Sequence, residues 1–214
     1  MRKMLKDDWV KETSPSYRVA YILSRMFDTS VTVFLVAMTF VFKAEAQLGW
    51  IVIMGLGNLV LPIVFLLNSF RTNRISDLDL TSREERVAWF SIAAGFWVLT
   101  LIVVLVIDPL GINVPDIMKL FQVWLAIFGV LNAGITYFWK ISGHAMVATA
   151  WSLWLSFLWN PWFALLLLIL VPAVSWARLR LNKHTPTQII AGILLMLIVT
   201  PVVWIIFGPV FGVQ

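Results

Sequence analysis

The chain has two histidines, His144 and His184, and each lies in a short polar, basic break between long apolar runs. Each histidine also stands near the opening of the apolar run that follows it. Two imidazoles at one site can share a group-transfer reaction, since one can act as the nucleophile while the other protonates the leaving oxygen. The two breaks are therefore the candidate catalytic parts of the chain, provided that the fold brings them together.

The first break, K-I-S-G-H at 140–144, stands directly before an apolar run and predicts a helix start. A helix N-terminus offers free backbone N–H groups and a partial positive charge, both of which favour a bound anion. Gly143 lets the backbone come close to such an anion, and Ser142 adds a hydroxyl donor. The plainer interpretation is a helix cap. The break thus predicts either an oxyanion cradle or an ordinary cap.

The second break, 178–188, combines arginine, histidine and an amide. Arg178 presents a planar fork of donors that matches the oxygens of a phosphate group. His184 and Gln188 share one helical face, so the Gln188 amide can hydrogen-bond and orient the imidazole. Taken alone, an arginine at the end of a span often only extends its charge to the membrane surface. Two histidines in basic breaks beside it favour a phosphate site.

These residues resemble two of the three signature motifs of the type 2 phosphatidic acid phosphatase superfamily, which read S-G-H and S-R-(five residues)-H-(three residues)-D. The matching positions are Ser142-Gly143-His144, and Arg178 followed after five residues by His184. The resemblance implies a metal-independent lipid phosphatase without a cofactor. It implies that His184 attacks phosphorus to form a phosphohistidine and that His144 is the general acid. It also implies that the phosphoryl oxygens are bound by Ser142, the Gly143 N–H and Arg178.

The chain departs from this pattern at two positions of the last motif. Ala177 stands where the family has Ser, and Gln188 stands where it has Asp. A neutral amide can hold an imidazole by a hydrogen bond but cannot stabilise an imidazolium by charge, which predicts a less basic His184. An alternative function is therefore a non-catalytic relative that binds anionic lipid head groups.

The first family motif, K-(six residues)-R-P, is not present as written, since Arg86 is followed by Val87. The polar loop 71–87 nevertheless supplies several arginines, and an exposed charged loop is the alternative interpretation. The further predicted phosphate ligands are Arg74, Arg83, Arg86 and Lys140.

Two aspartates in the same loop, Asp77 and Asp79, could supply the carboxylate that position 188 lacks. In a rival interpretation they hold Mg²⁺ on a diphosphate, as in membrane prenyltransferases. Only one short D-x-D occurs, so this alternative is the weaker one.

The elements that must position these residues are membrane helices. The chain of 214 residues is 61% hydrophobic and 13% charged, whereas a soluble domain is about a quarter charged. We expect an all-α, polytopic transmembrane bundle of about seven spans, or six if one of the first lies in the interface, with the last three forming the catalytic core. Residues 1–18 are predicted as an interfacial segment and 19–214 as a single transmembrane domain. Arg25 and Asp28, in the first run, can pair with each other or extend to the surface. The predicted spans are 19–42, 50–70, 88–107, 117–139, 145–158, 162–177 and 189–207.

The basic residues predict the orientation of the spans. With seven spans, all but two of the 16 basic residues lie on the same side as the N-terminus and the three breaks, the exceptions being Lys43 and Lys119. By the positive-inside rule that side is cytoplasmic, and the net charge of +5 indicates orientation rather than nucleic-acid binding. We expect an integral protein of a prokaryotic plasma membrane. Its substrate would be an amphiphilic phosphorylated lipid such as phosphatidate, phosphatidylglycerol phosphate or a prenyl diphosphate.

Overall fold

The computed structural model describes residues 14–45, 48–75, 82–111 and 113–213, with backbone alone at Leu48 and Arg83. Asp77, Asp79 and most of the predicted interfacial segment 1–18 lie outside the described residues. The regular elements of the described part are helices, which confirms the all-α class. They are α1 (Pro15–Met26), α2 (Thr29–Lys43), α3 (Leu48–Gly55), a π-helical turn (Leu56–Val60), α4 (Leu61–Arg71), α5 (Arg83–Ile107), a 3-10 turn (Asp108–Leu110), α6 (Asp116–Phe138), α7 (Gly143–Leu158), a 3-10 turn (Pro161–Leu165), α8 (Leu166–Arg180) and α9 (Pro186–Val210).

Five helical stretches of the described chain are long and apolar enough to cross a membrane, and α1 with α2 qualifies as a sixth if this bent pair is one span. The five are Gly49–Arg71, Glu84–Leu110, Asp116–Phe138, Pro161–Arg180 and Pro186–Val210. The polytopic helical architecture is thereby confirmed. Helix α7 has 16 residues. At about 24 Å it is shorter than the roughly 30 Å hydrocarbon core, as the short run 145–158 predicted.

The first apolar run differs from the single helix predicted over 19–42. It forms α1 and α2, which meet at an angle of 46°. Helix α1 ends at Met26, and Asp28 starts α2 because its Oδ1 accepts the Ser30 N–H at 2.9 Å. Asp and Asn side chains compete with the helical hydrogen bonds in this way, which makes them good N-caps and poor interior residues. Asp28 therefore marks the start of a new helix inside the apolar run 19–42, which was predicted as one span.

The described residues cluster into two compact units, and the prediction of a single transmembrane domain stays a prediction. The first unit contains the residues up to Leu35 together with Ile141–Leu197, and so includes both histidines. The second unit contains Val36–Lys140 and the residues from Ile198 onward.

In the first unit, α1 packs against the C-terminal end of α8. Ala20 of α1 forms a buried cluster with Ala177 and Leu181. Arg180 Nη2 donates to the Ser14 hydroxyl at 3.0 Å, next to the start of α1. The side chain of Ala177 is fully buried in this contact, so the alanine at the position where the motif has serine serves helix packing. A second buried cluster joins α7 to α8 through Ala148, Leu170, Val171 and Val174.

In the second unit, a closed polar network joins the π-helical turn to α5 and α6. Asn58 and Gln122 exchange side-chain hydrogen bonds of 2.8 and 3.2 Å. Gln122 Nε2 also donates to the Trp97 carbonyl at 2.7 Å, and Trp97 Nε1 donates to the Asn58 carbonyl at 3.0 Å. Both amides are buried, where hydrogen bonds replace the missing water. The network accounts for polar residues inside two apolar spans.

Replacing Gln122 with Leu is expected to destabilise the second unit, because the Asn58 amide and the Trp97 carbonyl both lose a partner. The expected loss is about 1–2 kcal/mol in the free energy of unfolding. It should appear as a lower thermal midpoint of the purified protein in detergent, followed by tryptophan fluorescence. The control Ile102→Ala alters a side chain that is 51% exposed and should shift the midpoint less. Equal midpoints for Gln122→Leu and the wild type would contradict the prediction.

Candidate active site

The two polar breaks meet in the first unit. The Ser142 N–H, before α7, donates to the Gln188 carbonyl, in the first turn of α9, at 3.1 Å. Gly192 allows this approach, since a Cβ at that position would lie 3.0 Å from the Ser142 carbonyl oxygen and from Met146 Cγ. A larger residue would push the start of α7 away from α9. A direct backbone hydrogen bond and a close helix contact therefore link the segments that carry the two histidines.

Ser142 and Gly143 begin α7 in a close-packed setting. The Ser142 hydroxyl is fully buried and accepts the Ala145 N–H at 3.4 Å, as an N-cap. A hydroxyl that accepts at a cap still carries a proton that it can donate. Gly143 lies against Thr29, because a Cβ at Gly143 would be 3.0 Å from Thr29 Oγ1. The cap interpretation of Ser142 is thus realised in the structure, and phosphate binding by Ser142 and Gly143 stays a prediction.

His144 is the centre of a polar cluster drawn from three places in the chain. Its Nδ1 lies 3.3 Å from Thr29 Oγ1. Its Nε2 lies 3.4 Å from Arg178 Nη1 and 3.6 Å from Asp28 Oδ2. The residue is 8% exposed. An imidazole with a cation, an anion and a hydroxyl around it is held in position.

Arg178 is buried, with 9% of its surface exposed, although it stands in the last turn of α8. Its Nη1 donates to Ser24 Oγ of α1 at 2.7 Å. Its carbonyl accepts the Lys183 N–H at 3.0 Å and so shapes the turn that leads to His184. An arginine that merely extends to the membrane surface would expose its guanidinium. The burial of Arg178 favours a role within the site.

Thr185 and Gln188 form a capping box at the N-terminus of α9, directly after His184. Gln188 Oε1 accepts the Thr185 N–H at 3.1 Å, and the Thr185 hydroxyl accepts the Gln188 N–H at 3.4 Å. This reciprocal arrangement is the T-x-x-Q form of the box, with Pro186 in the first helical position. The box suits glutamine, whose side chain reaches back to the cap N–H. It gives Gln188 a structural task that the sequence analysis did not assign.

The same amide oxygen selects the tautomer of His184. Its Nδ1 lies 3.3 Å from Gln188 Oε1. Because Oε1 is an acceptor, Nδ1 carries the proton in this hydrogen bond, and Nε2 keeps its lone pair. This assignment follows from the hydrogen-bond network. A neutral imidazole with a lone pair on Nε2 has the form that a nucleophile requires.

The remaining predicted ligands fall in the second unit. Arg74 is exposed, just after α4, while Arg83 and Arg86 stand in the first turn of α5. Lys140 is the last residue of the second unit before Ile141. The role of these four residues in phosphate binding stays a prediction.

Three side chains of the cluster were not predicted as site residues: Ser24, Asp28 and Thr29. They come from the end of α1 and the start of α2, and they contact residues more than 100 positions further along the chain. A signal was present, since an ionisable residue inside an apolar run marks a functional position by default. Its partner could not be read from the chain, because the contact is not local.

Residues 131–211 match the family model described as the PAP2 superfamily. The resemblance seen in the motifs is confirmed. The matched segment holds both histidine breaks and ends near the end of α9, whereas Ser24, Asp28 and Thr29 lie before it. No curated protein matches the chain. No solved structure matches it either.

The capping box predicts distinct effects for three substitutions of Gln188. Gln188→Ala should lower the free energy of unfolding by about 1 kcal/mol, because the Thr185 N–H loses its acceptor. Gln188→Glu should keep most of the stability, since its carboxylate reaches the same N–H. Gln188→Asp is one methylene shorter and should fall between them. Thermal unfolding and hydrogen exchange at the Thr185 amide measure this order. If Gln188→Ala were as stable as the wild type, the structural role of Gln188 in the capping box would be contradicted.

Proposed function

We propose that the chain is a membrane lipid phosphate or diphosphate phosphatase that acts through a phosphohistidine on His184. The PAP2 match supports a phosphatase-type function for residues 131–211. The observation that carries the proposal is the backbone hydrogen bond from the Ser142 N–H to the Gln188 carbonyl, which links the two segments that contain the histidines. The buried contact of Arg178 with His144 adds a guanidinium of the kind that binds phosphate.

The first step transfers the phosphoryl group to the protein. The lone pair of His184 Nε2 attacks phosphorus, and the bond from phosphorus to the leaving oxygen breaks. His144 gives its proton to that oxygen, which leaves as an alcohol or as a phosphate. The Gln188 amide keeps the attacking nitrogen free of a proton by binding Nδ1–H. Arg178, the Gly143 N–H and the Ser142 hydroxyl stabilise the charge on the phosphoryl oxygens.

The second step releases phosphate. The neutral His144 takes a proton from water, whose oxygen attacks phosphorus as the bond from phosphorus to His184 breaks. Inorganic phosphate leaves, His184 regains its lone pair, and His144 is again protonated. His144 thus acts first as the acid and then as the base, while His184 is first the nucleophile and then the leaving group. Both return to their starting states without a change in oxidation state.

The substrate class follows from the setting of the site. Its residues stand at the ends of apolar helices, where a polar head group can reach Arg178 while lipid tails stay between the spans. Phosphatidate, phosphatidylglycerol phosphate and prenyl diphosphates have this form. The second candidate, a non-catalytic relative that binds anionic head groups, is favoured by one observation, the glutamine at position 188 where the family has Asp.

Phosphate release from a panel of these lipids in mixed micelles tests the proposal. We expect release by the wild type and a loss of at least about 100-fold for His184→Ala and His144→Ala, since each removes a group that acts on the reacting atoms. An acid-labile, alkali-stable phosphoprotein should form with labelled substrate in the wild type and not in His184→Ala. Ile190→Ala, an exposed position in α9, is the matched control and should keep its activity.

Three outcomes would contradict the proposal in different ways. No release by the wild type on any lipid, together with binding to anionic vesicles, would favour the non-catalytic relative. Loss of release in EDTA would favour a metal-dependent enzyme such as the prenyltransferase alternative. Full activity in His184→Ala would remove the assigned nucleophile.

We propose further that the site and the N-terminus face the cytoplasm. The charge distribution supports this, and Arg180 binds Ser14 at the start of α1, so these two chain positions share one side. Since the chain has no cysteine, one introduced thiol reports one position. Ser82→Cys, before α5, should be protected from an impermeant maleimide in intact cells. Asn113→Cys, beyond the other end of α5, should react. The reverse pattern would overturn the orientation.

A further inference from the structure

The Asp28 carboxylate joins a helix cap to an imidazole. Its Oδ1 accepts the Ser30 N–H at 2.9 Å, and its Oδ2 lies 3.6 Å from His144 Nε2. The two oxygens thus have two separate tasks. The first is structural and needs only an acceptor, which an amide oxygen also supplies. The second depends on negative charge.

The charge matters because of what else faces His144. Arg178 Nη1 is 3.4 Å from the same Nε2. Because arginine only donates, this contact favours a lone pair on Nε2, and the permanent positive charge opposes a second cation on the imidazole. On the other side of the ring, Thr29 Oγ1 at 3.3 Å from Nδ1 is neutral. A general acid must hold a proton before the leaving oxygen takes it. Beside Arg178, an anion close to His144 favours the protonated form that the acid needs.

The proposed nucleophile, His184, has a neutral neighbour instead of a charged one. His184 has the neutral Gln188 amide at its Nδ1, which holds the ring without favouring the imidazolium. The Asp28 carboxylate therefore lies beside the proposed acid, His144, and the Gln188 amide lies beside the proposed nucleophile, His184. The neighbouring groups thus favour the imidazolium at His144 more than at His184.

We propose that Asp28 is a positioning residue for His144. The Asp28 carboxylate keeps the His144 imidazole protonated, so that the imidazole can donate its proton to the leaving oxygen. This inference rests on the proposed function, because it concerns the acid of that reaction. Asp28 itself neither gains nor loses a proton in the step. The proton moves from His144 Nε2 to the leaving oxygen, which also takes the electron pair of the broken bond to phosphorus.

Asp28→Asn separates the two tasks of the side chain. The asparagine oxygen can still accept the Ser30 N–H, so α2 keeps its cap, while the charge near His144 is lost. Two substrates report the effect, a lipid phosphate with an alkoxide leaving group and p-nitrophenyl phosphate, whose leaving group needs no proton. We expect Asp28→Asn to lower kcat/KM, which reports the phosphoryl transfer to His184, about 10- to 100-fold on the lipid and to change kcat/KM on the aryl ester by about 2-fold or less. The fall of kcat/KM at high pH should begin at a lower pH.

Further variants test whether Asp28 affects the rate through His144. In a His144→Ala background, Asp28→Asn should cause no further loss, because the group through which it acts is gone. Asp28→Glu, which keeps the charge, should recover part of the lost rate. Equal losses on both substrates together with a lower thermal midpoint would show that Asp28 has only a structural role, and unchanged kcat/KM and pH profile would overturn the inference as well.

A measurement on the resting protein does not depend on turnover. The chain has two histidines, so protein labelled with ¹⁵N-histidine gives two imidazole signals, which His184→Ala assigns. The His144 signal should lose its proton at a lower pH in Asp28→Asn than in the wild type. Identical titrations would overturn the inference even in an active enzyme. Conversely, absence of phosphate release by the wild type with a shifted titration would reject the proposed function while the pairing of Asp28 with His144 remains.

Discussion

The burial of the Arg178 guanidinium is the constraint on which the rest of the first unit depends. A permanent cation inside an apolar helix bundle is strongly unfavourable unless polar groups surround it. The chain meets this requirement with the Ser24 hydroxyl, with His144 and, across the imidazole, with Asp28. These partners come from α1, α7 and the break before α2. The contacts around one buried charge therefore link the N-terminal helices to the two segments that resemble the PAP2 motifs.

The two histidines differ in the chemistry of their neighbours. An amide oxygen lies at His184 Nδ1, whereas a carboxylate, whose negative charge favours an imidazolium, lies near His144 Nε2. In the family pattern the carboxylate of the last motif stands on the side of the nucleophile. Here Gln188 serves a capping box, where a glutamine side chain has the reach to close the ring of hydrogen bonds. Glutamine at position 188 thus has a structural role at the start of α9, while the Asp28 carboxylate lies beside the other histidine.

The sequence predicted local features well and the distant ones poorly. Hydropathy predicts the apolar helices, because it is a property of neighbouring residues, and the resemblance of the two motifs to the family pattern predicts that the two breaks come together. The capping box was not predicted, although T-x-x-Q with proline at the first helical position is its local signature. The break at Asp28 was not predicted either, since one aspartate changes the mean hydropathy of the run 19–42 little. The contact of Asp28 with His144 depends on packing between segments more than 100 residues apart.

The position of Asp28 at the start of α2 also fixes how its carboxylate is held. The Ser30 N–H binds one carboxylate oxygen at 2.9 Å. The other oxygen lies 3.6 Å from His144 Nε2. In the middle of an unbroken helix the same aspartate would have no free N–H groups beside it. The helix break therefore supplies the N–H group that holds Asp28 in its position beside His144.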